Sequence, residues 1–427
     1  MSPDAVRAGI VVTGTEVLTG RVSDRDGPWI SERLGELGVE VTHIICVGDR
    51  PDDLEAALRF LAAQDADLIV TSGGLGPTAD DLTAEVVARF AGRELVLDEG
   101  MEKKISRILA QFARRLRFDA EALREANRKQ AMVPRGAIAI DPAGTAPGLV
   151  VPTEGPTVIV LPGPPRELQA MWPAALDSEP VRAVLSRATP FRGYTLRLIG
   201  IPESEIAKTL REVERHTDLS ALEVTTCLRG GELEIDVRHR EGADAAADAV
   251  RAAVEERHGR YLFSEDGTTI DEQVAALLRG RRVGLAESCS GGLLAARLTA
   301  LPGASGYVAG SVVAYSNQAK SDLLGVDPAL IERHGAVSPE VAEAMADGAL
   351  DRFRADAAVS ITGIAGPEGG TKEKPVGYVC FCAKLADGRS LARDPVIPGG
   401  RQDIRERSAL VGLHMLRILL GGGEAPL

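Results

Sequence analysis

Residues 67–81 read Asp-Leu-Ile-Val-Thr-Ser-Gly-Gly-Leu-Gly-Pro-Thr-Ala-Asp-Asp. The apolar run Asp67–Thr71 has the length and β-branched content of a buried strand, and a helical stretch, Asp81–Phe90, follows the glycines. The same alternation surrounds it. Ala8–Thr13 and Val39–Val47 read as further strands, Thr157–Leu161 as another, and Pro28–Leu37 and Pro51–Ala63 as the helices between them. Short apolar strands alternating with amphipathic helices predict a parallel sheet with helices on both faces. Such sheets bind ligands at the carboxyl ends of their strands, where the glycine-rich loop falls.

Three blocks emerge along the 427 residues. The first, residues 1–175, is this α/β domain, with the charged stretch Glu102–Lys129 expected as one or two surface helices. In residues 190–265 the rhythm changes: Tyr194–Ile199, then Glu203–Val213 as a helix, then Glu223–Leu228 and Glu232–Arg238 as a hairpin about Gly230-Gly231, then an Ala-rich helix, Ala243–His258. This small α+β module is KH-like but lacks the GxxG loop that clamps nucleic acid, so it is expected to serve as a spacer or dimerisation module. Residues 266–420 form a second α/β domain, with strands at Arg282–Ala286, Ser311–Ala314, Ala357–Ile361 and Gly377–Ala383 and a helix at Pro339–Phe353. The tail Gly421–Leu427 is expected to fray.

Composition narrows the function. Apolar residues make up 44% and charged residues 26%, as in globular proteins, and no apolar run approaches a membrane span. The opening MSPDAVRAG lacks the basic and apolar regions of a secretion signal, so a cytoplasmic chain is expected. A net charge of −13 and 4% aromatics argue against nucleic-acid or anionic-membrane binding. The five scattered cysteines fit reduced thiols better than a disulfide frame or zinc site.

Two places carry chemistry. In the first, glycines let the backbone approach a phosphate at a helix N-terminus, although the loop is neither a Walker loop nor a GxGxxG fingerprint. Asp80 and Asp81 also suit plain helix caps. Further polar exits leave strand ends at Thr13-Gly14-Thr15-Glu16, Gly48-Asp49 and Leu161-Pro162-Gly163. Together they suggest a nucleotide site with acids available for a divalent metal. In the second, strand Arg282–Ala286 ends in Glu287-Ser288-Cys289-Ser290-Gly291-Gly292 before a helix at Gly291–Thr299. Ser288 there is either an N-cap or a nucleophile served by free N–H groups and the helix dipole. Lys320, just past a strand, is the better candidate base than His334, because a desolvated lysine loses its proton readily. The rival is Cys289 as nucleophile with Glu287 and Lys320, as in a nitrilase-like triad. The loop Ile361–Gly370 suits phosphate or ribose, and Arg401 and Arg405, one turn apart, suit a phosphate monoester unless Arg405 pairs with Asp403 or Glu406.

These motifs resemble the CinA family over nearly the whole chain. The first half of the likeness lies in Thr13–Glu16, Thr71–Thr83, Asn127–Gln130, Gly144–Gly148 and Leu161–Pro165, and this part is similar to molybdopterin-binding domains. It implies a three-layer α/β fold that hydrolyses the pyrophosphate of ADP-ribose or a related dinucleotide, such as NAD, with a divalent cation (Mg, Mn or Co). Asp49 and Asp81 match the two acids of that site, and Gly73, Gly74 and Gly76 its phosphate loop. Arg21–Asp26 departs from the more Asn-rich run of the family. The second half lies in Ala286–Gly292, Tyr315–Lys320, His334–Ser338, Ile361–Gly370 and Lys374–Gly377, and looks like a nicotinamide-nucleotide amidohydrolase domain. It implies metal-independent conversion of nicotinamide mononucleotide to nicotinate mononucleotide and ammonia, with Ser288 as nucleophile and Lys320 as base. Tyr315 becomes a pocket residue, and Thr362 and Gly363 lie near the oxyanion or ribose. Thr15, Glu16, Gly163, Gly291, Gly292, Gly366, Arg401 and Arg405 complete the expected substrate contacts. The expectation is a homodimeric, bifunctional enzyme of pyridine-nucleotide salvage; the alternatives are a molybdopterin- or nucleotide-binding protein of competence or DNA repair, and a chain with one active domain.

Overall fold

A computed structural model describes residues 5–113 and 120–422. It falls into two compact units, Met1–Phe191 and Arg192–Leu427. In the first, the strands in chain order are β1 (Arg7–Thr13), β2 (Glu40–Val47), β3 (Leu68–Ser72), β4 (Leu95–Leu97), β5 (Met132–Pro134), β6 (Ile138–Ile140), β7 (Gly148–Val151) and β8 (Thr157–Leu161). Strands β4 and β5 pair as a small separate antiparallel sheet, and the rest form one sheet in the order β2-β1-β3-β8-β7-β6. Its β2, β1, β3 and β8 run parallel as expected, whereas β7 is antiparallel to both of its neighbours, β8 and β6. The reason is the connection. β7 reaches β8 through the short turn 152–156, and a parallel return needs a crossover of a dozen or more residues.

Every position of β3 and β8 is buried, because helices cover both faces. One face packs Ile10, Val70 and Ile159 against Ile30, Leu34, Leu168 and Trp172. The other packs Val11, Ile69 and Val160 against Leu58, Leu61 and Val87. These three layers leave the carboxyl ends of β1, β3 and β8 on one edge, where Gly14, Gly73 and Pro162 begin their loops. Of the stretch Glu102–Lys129, helices Glu99–Ala113 and Ala120–Gln130 are described; residues 114–119 lie outside the described residues, as does the tail from residue 423.

The second unit begins with β9 (Arg192–Ile199), β10 (Leu222–Arg229), β11 (Glu232–His239) and β12 (Leu262–Ser264), an antiparallel sheet in the order β10-β11-β9-β12. Gly230 and Gly231 close the β10–β11 hairpin with φ of 62° and 110°, the left-handed turn that matches strand twist. Next come β13 (Val283–Glu287), β14 (Val308–Val313), β15 (Ala357–Gly363), β16 (Val379–Leu385) and β17 (Ser390–Arg393), ordered β14-β13-β15-β16-β17. Here β14, β13 and β15 are parallel, and β16 is antiparallel to both of its neighbours, β15 and β17. Helix Arg401–Gly421 buries Leu413 and Leu416 against one face; helix Pro339–Phe353 buries Met345 and Ala349 against the other. No helix among the described residues is long and apolar enough to cross a membrane.

Candidate active sites

A cavity of about 770 Å³ opens at the carboxyl edge of the first sheet. Gly73-Gly74 line it in a left-handed turn, with φ of 99° and 66°. A Cβ on Gly73 would stand 2.5 Å from the Thr13 carbonyl oxygen, and one on Gly74 would collide with the Thr83 hydroxyl. Only glycine permits this turn. Thr83 fixes it, donating from Oγ1 to Gly73 O (2.9 Å) and from N to Gly74 O (3.1 Å). Gly76 lies against the Asp81 carboxylate, and Gly163 lies within van der Waals reach of Gly73.

Asp81 does not cap the following helix, whose N-cap, Leu82, has no side-chain cap. Instead its Oδ2 accepts from Thr78 N (2.9 Å) and Thr78 Oγ1 (2.5 Å), closing the loop on itself. Asp80 approaches the same hydroxyl (2.5 Å), and that bond holds its carboxyl below the usual range. Asp49 Oδ2 accepts from Thr15 N (2.9 Å), so the two acids the sequence paired each steady a loop with one oxygen. Helix Ala120–Gln130 clamps the loop from outside: Lys129 Nζ donates to Thr78 O, and Gln130 Nε2 to Leu75 O (3.0 Å).

Seven carboxylates line this cavity (Glu16, Asp24, Asp26, Asp49, Asp80, Asp81 and Glu167), against the single guanidinium of Arg25. So anionic a wall repels a pyrophosphate unless a cation intervenes. Among the described residues no three or more His, Cys, Asp or Glu gather to hold a metal unaided. Magnesium-type sites need only one or two carboxylates, the remaining ligands being phosphate oxygens and water, so the oxygen-only donor set fits such an ion. Asp26 in this wall is 5% exposed; Ser72 Oγ donates to its Oδ2 at 2.5 Å, while Oδ1 has no partner among the described residues. Burial raises its pKa, as it does that of Glu167. Of the sequence departure Arg21–Asp26, residues 22–26 line the cavity.

In the second unit, Ser288 follows β13 directly and is 7% exposed. Its N–H donates to Ile361 O (2.9 Å). Lys320, 2% exposed on helix Asn317–Leu324, donates from Nζ to Ser288 Oγ at 3.2 Å and to Ala314 O at 3.0 Å. Burial lowers the lysine's pKa. The helix after Ser288 starts at Leu293, two residues later than expected, because Gly291 and Gly292 take φ of 64° and 94° and extend the turn.

Glu287 supplies the cap that the sequence assigned as an option to Ser288. Its fully buried carboxylate accepts from Gly292 N (3.0 Å), Leu294 N (3.1 Å), Ala295 N (2.9 Å) and Ser290 Oγ (2.8 Å). That leaves the Ser288 hydroxyl to the lysine. The rival arrangement is not brought together: Glu287 makes no bond to Lys320, and Cys289 lies in the core beside Gly363, its thiol pushed up by burial to about 12. A thiol so poised is not ionised at neutral pH. His334 pairs with Glu340 (3.2 Å).

The remaining residues frame the pair. Arg401 donates to Gly366 O (2.5 Å) and to the hydroxyl of the exposed Tyr315 (2.7 Å). Arg405 donates to Ser290 O (3.2 Å) and Gln402 Oε1 (3.1 Å). Asp403 instead accepts from Gly400 N, and Glu406 from Gln402, so neither arginine is in an ion pair among the described residues. Thr362 Oγ1 donates to Ala336 O (2.8 Å), and Lys374 Nζ to His334 O (2.9 Å) and Val337 O (2.6 Å). Those bonds tie residues 334–338 to the end of β15 through Thr362 and to the loop after it through Lys374.

Residues 9–180 match the model of the probable molybdopterin binding domain, and residues 267–420 that of the CinA C-terminal domain. A CinA-like protein of Mycobacterium marinum is 59% identical over 418 residues, covering 97% of this chain and 98% of its own. The chain belongs to the CinA family. A CinA-like protein of Mycobacterium tuberculosis is 58% identical over 425 residues, 98% of each chain. Of solved structures, the competence/damage inducible protein CihA from Agrobacterium tumefaciens is 41% identical, covering 37% of this chain and 99% of its own, with a TM-score of 0.35. Within this CinA-family chain, Asp26, Glu167 and Gln130 are site residues that sequence reasoning left without a role, and Glu287 caps the helix instead of serving the cysteine triad considered for it. Of these four, Glu167 alone stood outside every stretch already singled out.

Proposed function

We propose that this chain is a bifunctional hydrolase of pyridine-nucleotide salvage. The C-terminal domain deamidates nicotinamide mononucleotide. The observation that carries this reading is the buried Lys320 Nζ standing 3.2 Å from Ser288 Oγ. Neutral Lys320 takes the proton of Ser288 as its Oγ attacks the carboxamide carbon. The C–N bond then breaks, and ammonia leaves with the proton returned by the lysinium. Water, deprotonated by the same amine, cleaves the acyl-serine to nicotinate mononucleotide. Arg401 and Arg405, on the first turns of their helix and without carboxylate partners, are suited to the substrate's phosphate.

The N-terminal domain, on this reading, cleaves the pyrophosphate of ADP-ribose or a related dinucleotide. The loop Gly73–Gly76 would hold phosphate through the backbone N–H groups beyond Gly73, whose own N–H donates to Leu161 O, and Asp81 and Asp49 would hold a divalent cation. That cation offsets the negative charge that crowds together when water meets a pyrophosphate. Cleavage of an NAD-like substrate would release the mononucleotide that the other domain consumes. Incubating the pure protein with ADP-ribose, NAD and nicotinamide mononucleotide, with and without Mg²⁺, and resolving products by chromatography tests both halves. Product from one substrate class alone would assign a single active domain; product from none would refute the enzymatic reading.

A further inference from the structure

Helix Arg401–Gly421 serves two neighbours at once. Near its start, Arg401 reaches Gly366 O and the Tyr315 hydroxyl, and Arg405 reaches Ser290 O, just past Ser288. His414 follows Arg405 by about two and a half turns and so leaves the opposite side of the helix. That side is gripped by the α+β module. His414 Nε2 lies 2.7 Å from Oε1 of Glu232, the first residue of β11, across 182 residues of chain. Both side chains are buried, the histidine completely. The His414 ring meets Phe263 of β12 edge-on at 4.7 Å, and a Cβ on Gly231 would stand 3.2 Å from Leu410 Cδ2. Ile199 and Phe263 of the module share one apolar core with Leu413 and Leu416 of the helix. His414 Nδ1 has no partner among the described residues, so Glu232 is the ring's one polar anchor there.

We propose that Glu232 is a positioning residue of the deamidase site, setting through His414 the rotation of the helix whose opposite side carries Arg401 and Arg405. The assignment rests on the deamidase reading and gives the α+β module, expected as a spacer or dimerisation segment, a part in it. A buried polar pair often adds little net stability over apolar residues of the same size, but its hydrogen bond fixes a direction that apolar packing leaves loose. Without the carboxylate, the buried Nε2–H has no acceptor and is driven toward water. The helix turns as a body. Any turn that brings His414 out swings the two arginines away from the substrate's phosphate.

Steady-state ammonia release by the full chain, from nicotinamide mononucleotide and from its dephosphorylated riboside, tests this. Glu232→Leu should lower kcat/KM for the mononucleotide about tenfold, through KM rather than kcat, and leave the riboside value unaltered. Glu232→Gln should keep most of the wild-type value, because its amide oxygen still accepts from Nε2. In a chain that also carries Arg401→Ala and Arg405→Ala the Glu232→Leu penalty should vanish, although residues this far apart without a shared partner ordinarily act additively. If Glu232→Leu does not fold, Glu232→Asp, which draws the carboxylate back by one methylene, is read by the same ratios. Equal losses on both substrates, or a penalty that persists without the arginines, would overturn the positioning role while ammonia release by the wild type left the deamidase reading standing. No ammonia from the wild type would overturn both.

Discussion

Lys320 Nζ and Ser288 Oγ lie 3.2 Å apart although 32 residues separate them in the chain. The contact arises because β13 and β14 are parallel neighbours whose carboxyl ends share an edge. Ser288 leaves the first, and Ala314, just past the second, accepts the lysine's other bond. A hydroxyl and an amine are thus held where water hardly reaches, which is what a Ser–Lys nucleophile requires.

Ser288→Ala and Lys320→Met should each abolish ammonia release from nicotinamide mononucleotide and leave ADP-ribose cleavage intact. Cys289→Ala should keep deamidation within severalfold of the wild type, since its thiol is pushed up to about 12 and points into the core. An ammonia assay on the three variants decides. An active Ser288→Ala beside an inactive Cys289→Ala would move the nucleophile to sulfur.

The buried lysine also dictates a pH response. Burial lowers its pKa from the ordinary 10.5, so deamidation should fall as pH drops through that lowered value and the amine becomes charged. Between the lowered value and 10.5 the unfolded chain binds more protons at this group, so its contribution makes stability rise with pH there. Denaturation midpoints taken across the alkaline range should show this slope in the wild type and lose it in Lys320→Met.

Glu287→Gln should destabilise the C-terminal domain by about 3 kcal/mol, because an amide turns a donor toward buried N–H and hydroxyl donors that now share a carboxylate. Denaturant unfolding measures it. Unchanged stability would mean that the carboxylate does not hold the turn that presents Ser288.

Arg401→Ala or Arg405→Ala should weaken nicotinamide mononucleotide binding by about 1.5–3 kcal/mol, roughly ten- to hundredfold. The dephosphorylated riboside should show little of that loss. Equal losses on both ligands would show that the arginines do not read the phosphate.

Asp81→Ala should remove ADP-ribose cleavage and leave deamidation in place, and a chelator should reproduce that pattern in the wild type. Complete cleavage by Asp81→Ala in excess chelator would discard both the cation and its proposed ligand.

Local chemistry was enough to read much of this protein from its sequence. Apolar runs of strand length, helical periodicity and Gly73-Gly74 report what each segment does with its own backbone, so helices Pro51–Ala63 and Pro339–Phe353 came out with their boundaries intact. The Gly230-Gly231 hairpin followed from the same local rules. Whether β7 runs parallel or antiparallel depends on its connection and its partner, and only the folded sheet answered that. The sites divide in the same way. Serine, lysine and arginine at 288, 320, 401 and 405 were recognisable as chemistry, but which of several roles each takes depends on what else competes for its hydrogen bonds. Glu287 took the helix cap and left Ser288 free; Thr78 engages Asp81, which also suited a plain helix cap. Burial, which lowers the lysine's pKa and raises that of Asp26, is a property of the surrounding packing, and no spacing of residues along a chain encodes it by itself.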